Sequence, residues 1–171
     1  MRIAMLMIVL LALGAVALFQ YRSMPSVAFT GGVGDEIHID DFGATLLGSH
    51  RQAGLGEGPS RVGAKGVFVL VDVRISNHAK RVNFEFKDSY LRLVDSQGRE
   101  HEVAPEAQKY LRTSHADGCG SALPPGGMCT TQLVYDVPLD ATELSLRLRF
   151  AGQVFDMLDT ILFGKQRLKL P

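Results

Sequence analysis

The densest collection of reactive side chains is His115-Ala116-Asp117-Gly118-Cys119, with Met128-Cys129 close behind it. Imidazole, carboxylate, thiol and thioether form a soft donor set, suited to copper or zinc when the sulfurs are free thiols. The sulfurs have a competing use. Cys119 and Cys129 are the only two cysteines, and an even pair in an exported chain is expected to form a bridge, which consumes both ligands. Closing a loop of about ten residues in this way contributes roughly 3 kcal/mol in the chain-entropy account. The disulfide Cys119 to Cys129 is therefore the expectation. Metal handling by the His115 to Cys129 region is its alternative, because the same sulfurs cannot do both.

Other constellations are thinner. His38 with Asp40 and Asp41 offers nitrogen and oxygen ligands, but the alternation around them reads as the wet side of a strand followed by its turn. Nucleophilic catalysis needs Ser or Cys within reach of a His that a carboxylate orients. Ser49-His50 and Ser114-His115 are sequence neighbours whose side chains diverge, and no G-x-S-x-G elbow occurs. Gly54-Leu55-Gly56-Glu57-Gly58 has the glycine content of a phosphate loop without the spacing, the Lys or the following helix. Lys165, Arg167 and Lys169 alternate with Leu168 and Leu170, the pattern of an edge strand whose cations discourage stray pairing. No catalytic residue, metal ligand or cofactor is assigned on these grounds, and the chain is expected not to be an enzyme.

What positions these residues begins with an apolar leader. Ile3 to Phe19 is uncharged and, as a helix, spans about 25 Å, the low end for crossing a bilayer. It also scans as a signal peptide, with Arg2 at its start, Gly14 as a breaker and Ala15-Val16-Ala17 as a small-x-small cleavage pattern. Residues 1–22 are thus a transmembrane anchor or a signal peptide, and either places the body outside the cytoplasm. Residues 23–34 read as linker and 35–171 as one domain. Without Arg2 and Arg22 the body holds 16 basic and 18 acidic residues, and the chain has no Trp. Neither the charge nor the aromatic content fits a nucleic-acid binder.

Within the body, Glu36 to Ile39 and Ala44 to Ser49 read as short strands, and residues 50–66, with their glycines, as a long mobile loop. Val67 to Ile75 is apolar and continuous at its start and alternates at its end, as a strand buried on two faces and then emerging would. Val82 to Phe86 and Tyr90 to Val94 alternate, Asp95-Ser96-Gln97-Gly98 is a hairpin turn by its chemistry, and Pro105 opens one or two helical turns. Met128 to Val137 and Glu143 to Phe150 are long strands. Phe155, Leu158, Ile161 and Leu162 have helical spacing before a final strand, QRLKL. Seven to nine strands with turns between them predict an all-β, immunoglobulin-like antiparallel β-sandwich behind an N-terminal transmembrane or signal helix.

Five motifs occur in order: Gly34-Asp35, Lys65-Gly66-Val67-Phe68-Val69 running to Ser76-Asn77, Leu93 to Glu100, Leu123-Pro124-Pro125-Gly126, and Val134-Tyr135-Asp136-Val137-Pro138. Over about residues 33 to 150 the chain resembles an uncharacterised family of bacterial exported immunoglobulin-like domains. These are carried on lipoproteins and single-span proteins and are similar in fold to a secreted mycobacterial antigen. No Cys follows the apolar leader here, so the lipid-anchored route does not carry over. The expected function is a non-catalytic binding or scaffold module of the bacterial cell envelope. It is attached to the inner membrane by its N-terminal helix, or secreted to the periplasm, and holds a protein partner.

Overall fold

The computed structural model describes residues 29–114, 119, 120, 122–149 and 166–171. The leader, His115, Asp117 and the helical spacing at 155–162 lie outside the described residues.

Among the described residues nine strands form two sheets packed face to face. Sheet one has the order β2 (Glu36–Ile39), β3 (Phe42–Leu55), β4 (Val62–Asn77), β7 (Met128–Val137), all antiparallel. Sheet two runs β1 (Phe29–Gly31), β9 (Gln166–Lys169), β8 (Ser145–Leu148), β5 (Leu91–Val94), β6 (Glu100–His101). Between them lies a core built from Ile37, Leu46, Val71 and Ile75 on one side and Leu91, Leu93, Leu146 and Leu168 on the other. A helix, α1 (Pro105–Ser114), covers the outer face of sheet one, where Leu55, Phe68, Leu70, Ala107, Leu111 and Val134 form a second, smaller core.

The two cores account for the residue pattern of β4. Val69, Val71, Val73 and Ile75 point into the sandwich, while Phe68 and Leu70 point under α1. Where the helix no longer covers the sheet, the outward positions become Asp72 and Arg74. Alternation starts where burial becomes one-sided.

Several expectations need correction. The linker over 23–34 ends early, because Phe29–Gly31 pairs in parallel with Gln166–Leu168. The sandwich is therefore mixed rather than wholly antiparallel. For the same reason β9 is not an edge strand: it lies between β1 and β8. Residues 50–66 are mostly strand, the arms of a long hairpin turned by Gly56 (φ 75°) and Gly58 (φ 61°). Both turn glycines occupy the left-handed region that side chains rarely adopt. A register shift between Gln52 and Gly54 interrupts the period-two pattern within the arms, and a second lies just before them, between Leu46 and Gly48. Val82 to Phe86 buries Phe84 and Phe86 as its alternation implies, yet makes only a bridge, Phe84 to Leu123. Phe84 instead stacks on Phe42 with ring centroids 4.1 Å apart. The helix at Pro105 has 10 residues, longer than expected.

Candidate functional site

Two surface features stand at opposite ends of β4. The first is a wide cleft of about 1210 Å³ where β4 begins and β7 ends, roofed by the segment entering α1. Asp136 shapes its floor: its carboxylate accepts the N–H of Lys65 (2.8 Å) and of Gly66 (3.0 Å), tying the start of β4 to β7. Gly66 is required there, since a Cβ would strike the carbonyl of Val137. Apolar surface comes from Val62, Phe68, Val137 and Leu139, and Leu139 on the lip is 78% exposed. Glu102, Glu106, Asp136 and Asp140 face Lys65 alone among the charged groups of the lining. The cleft thus combines apolar surface with a surplus of carboxylates, Asp136 in its floor and Glu102, Glu106 and Asp140 beside it. Arg92 pairs with Glu102 at 2.8 Å and Arg99 with Asp140 at 3.2 Å, whereas Glu106 and Asp136 form no ion pair among the described residues.

The Arg99 contact belongs to a buried clamp on the β5–β6 hairpin. Asp95, 3% exposed, accepts the N–H of Gln97 and of Arg99, the Arg99 guanidinium at 2.6 Å and the His101 ring at 3.1 Å. Burial alone raises a carboxyl pKa. The hydrogen bonds from Arg99 and His101 outweigh that and hold Asp95 far below the ordinary carboxylate range. This arrangement is structural, since every acceptor site is used within the turn.

The second feature is built on the outer face of β2. Glu36 and His38 are two residues apart and share that face. His78 follows β4, with its backbone N–H donating to the carbonyl of Asp41 at 2.7 Å. Strand β3 separates β2 from β4, and at the crossing point it carries Gly43, paired with His38 on one side and Ser76 on the other. A Cβ on Gly43 would overlap the Glu36 carboxylate. Glycine therefore opens the path by which Glu36 reaches across to His78 at 3.2 Å while remaining 3.5 Å from His38. The potential ligand atoms of Glu36, His38 and His78 all lie within 4.8 Å of one another.

Asn77 sets the position from which His78 projects. It is 1% exposed, and its amide donates to the carbonyls of Val82 (2.8 Å) and Leu123 (3.0 Å) while its oxygen accepts the N–H of Ala79. This buried amide joins the end of β4 to the loop bearing the disulfide.

The residues singled out from sequence are distributed as follows. Cys119 and Cys129 are bonded to each other, with Cα atoms 5.2 Å apart. That removes both sulfurs from the ligand set proposed for the His115 to Cys129 region. His38 lies on a wet face as expected, but its companions are Glu36 and His78 rather than Asp40 and Asp41. Ser49 and His50 are adjacent in β3, where successive side chains take opposite faces, so they do not form a catalytic pair. The Ser114 hydroxyl donates to the Tyr110 carbonyl within its own helix. Gly54, Gly56 and Gly58 serve the β3–β4 hairpin, and Gly56 lies against Tyr110 of α1. Of the basic strip, Arg167 is half-buried and Lys169 exposed, and Lys165 lies outside the described residues. Among the described residues no helix is long and apolar enough to cross a membrane.

Sequence reasoning missed the cleft and His78. Glu36 and His38 were legible as a same-face pair. Nothing in the spacing of 42 residues to His78 announces their meeting, which depends on strand order.

A family profile described as "Domain of unknown function (DUF4352)" matches residues 31–157. The fold is similar to that of MPT63, a secreted protein from Mycobacterium tuberculosis, with a TM-score of 0.55 at 14% identity over 85% of this chain and 98% of that one. It is similar also to the yjhA protein of Bacillus subtilis, with a TM-score of 0.55 at 15% identity over 82% and 99% of the two chains. A conserved hypothetical protein from Bacillus anthracis aligns with a TM-score of 0.54 at 15% identity over 69% and 87%. No curated protein matches the sequence.

Proposed function

The chain belongs to the DUF4352 family, and on that premise we propose that it is a non-catalytic binding module of the bacterial cell envelope, displayed outside the cytoplasm. The leader of residues 1–22, as anchor or cleaved signal, supplies the route. Support for the address comes from the disulfide, which suits an oxidising compartment, and from the secreted MPT63 among proteins of similar fold.

The observation that carries the binding role is the cleft at the start of β4. Its apolar surface, the exposed Leu139 and the surplus of carboxylates in its lining fit an extended, basic segment of a protein partner. Apolar side chains of the segment would cover Val62 and Leu139, and its Lys or Arg residues would meet Glu106 and Asp136. The disulfide leaves no thiolate for metal handling by the His115 to Cys129 region, so the binding reading is the one retained.

A photo-crosslinking residue placed at Leu139 in living cells tests it, with the same residue at exposed Arg81 as the control. A discrete adduct at Leu139 that is lost on Glu106→Lys supports the cleft. Equal labelling at both positions, or an adduct indifferent to the charge reversal, rejects it.

A further inference from the structure

We infer that Glu36, His38 and His78 form a surface site for a borderline divalent transition metal, of which zinc is the representative ion. The site lies at the end of β4 remote from the cleft and is independent of the partner proposed there.

Three observations carry the inference. Donor chemistry is the first: two imidazoles and one carboxylate are ligands zinc accepts, leaving a fourth position for water. Separation is the second. Ligand atoms about 2.0 to 2.1 Å from a tetrahedral zinc sit roughly 3.3 Å from one another. Glu36 Oε2 lies 3.5 Å from His38 Nε2, Glu36 Oε1 lies 3.2 Å from His78 Nε2, and the potential ligand atoms of the three residues all fall within 4.8 Å of one another. The third is accommodation by the fold. Gly43 leaves room for the carboxylate between the two rings, and the ring centroids of His38 and His78 stand 5.4 Å apart. The His38 backbone is held by Gln166, whose side-chain oxygen accepts its N–H at 2.9 Å. Both His side chains are about half exposed, at 45% and 50%, which gives an ion direct access.

The test is calorimetric titration of the tag-free full chain with Zn²⁺. One ion per chain is expected, with His38→Ala and His78→Ala each weakening binding at least about tenfold, the effect typical of removing even supporting groups at metal sites. His50→Ala should leave it unchanged. Gly43→Ala contributes no donor and removes none, yet should weaken binding by displacing Glu36. Thermal unfolding of each variant without metal reports that it folds. Cobalt(II) provides a second readout, as intense visible bands of four-coordinate geometry that vanish in His78→Ala. No saturable binding, or saturable binding that either His variant leaves unaltered, overturns the site.

Discussion

The two edges of the four-stranded sheet are finished in opposite ways. On the β7 side the exposed row of peptide groups is covered by α1 and its approach. Val103 bridges to Tyr135, the N–H of Ala104 donates to the Val134 carbonyl at 2.8 Å, and Gln108 completes the cover. The Gln108 side chain donates to the Gln132 carbonyl at 2.9 Å and accepts the Val134 N–H at 3.0 Å. One side-chain amide thus takes the place of a peptide unit in a neighbouring strand. On the β2 side the Gln166 side chain caps the edge by accepting the His38 N–H, and the outward face carries Glu36 and His38 instead of apolar residues. An edge over an apolar layer must be sealed, because its peptide groups are shut off from water. An edge beside water can stay open if its side chains are charged. This difference leaves the β2 edge itself open to ligands, whereas on the β7 side the edge is sealed and the cleft lies beyond it, where β7 ends and the approach to α1 begins.

No substitution should cost more than removing the amide on the sealed edge. Gln108→Ala leaves the buried Val134 N–H and the part-buried Gln132 carbonyl without partners, and should cost about 2 kcal/mol by chemical denaturation. A loss under about 1 kcal/mol would mean water reaches that edge and the contrast fails. Next comes the β5–β6 hairpin at the edge of the other sheet, where Asp95→Asn should cost about 2 kcal/mol. Acid separates its behaviour from that of the other edges. The Asp95 pKa is lowered on folding, so its contribution is full above the ordinary unfolded value near 4. It is lost as pH falls through the lower folded value. Wild-type stability should therefore decline below about pH 4, with a shallower decline in Asp95→Asn. On the open edge Gln166→Ala should cost under about 1 kcal/mol, since water can replace the bond to His38. Leu139→Ser should change stability least, within about 0.5 kcal/mol, because the side chain already faces solvent. Any larger loss would place Leu139 in the core rather than on a binding lip.

Legibility in the sequence followed the physics of burial. Residues Val67 to Ile75 announced both cores, because a strand covered on two faces must be apolar throughout and one covered on one face alternates. Asp95 to Gly98 and Pro105 were equally readable, since turn and helix-start chemistry is local. The arms of the β3–β4 hairpin were not, because the stretch beyond Gln52, up to Ala64, runs past the main core and its backbone pairing needs few apolar side chains. Strand β1 was hidden for a related reason: three residues paired across 137 positions of sequence leave no periodic trace. Of the proposed ligands, only His38 stood out in the sequence, grouped with Asp40 and Asp41. The alternation of Glu36 and His38 placed those two on one face, and His78 joins them only because Gly43 stands in the intervening strand. The cleft could not be read at all, being a gap between elements rather than a property of any one of them.

The parallel pairing of β1 with β9 has a mechanical consequence. The first described strand and the last lie side by side and point the same way, so traction applied before Phe29 and at Pro171 slides one against the other. The hydrogen bonds of the pairing over Phe29–Gly31 would then bear the load together instead of peeling apart in turn. A domain stretched between two holders would meet the strain with that seam first.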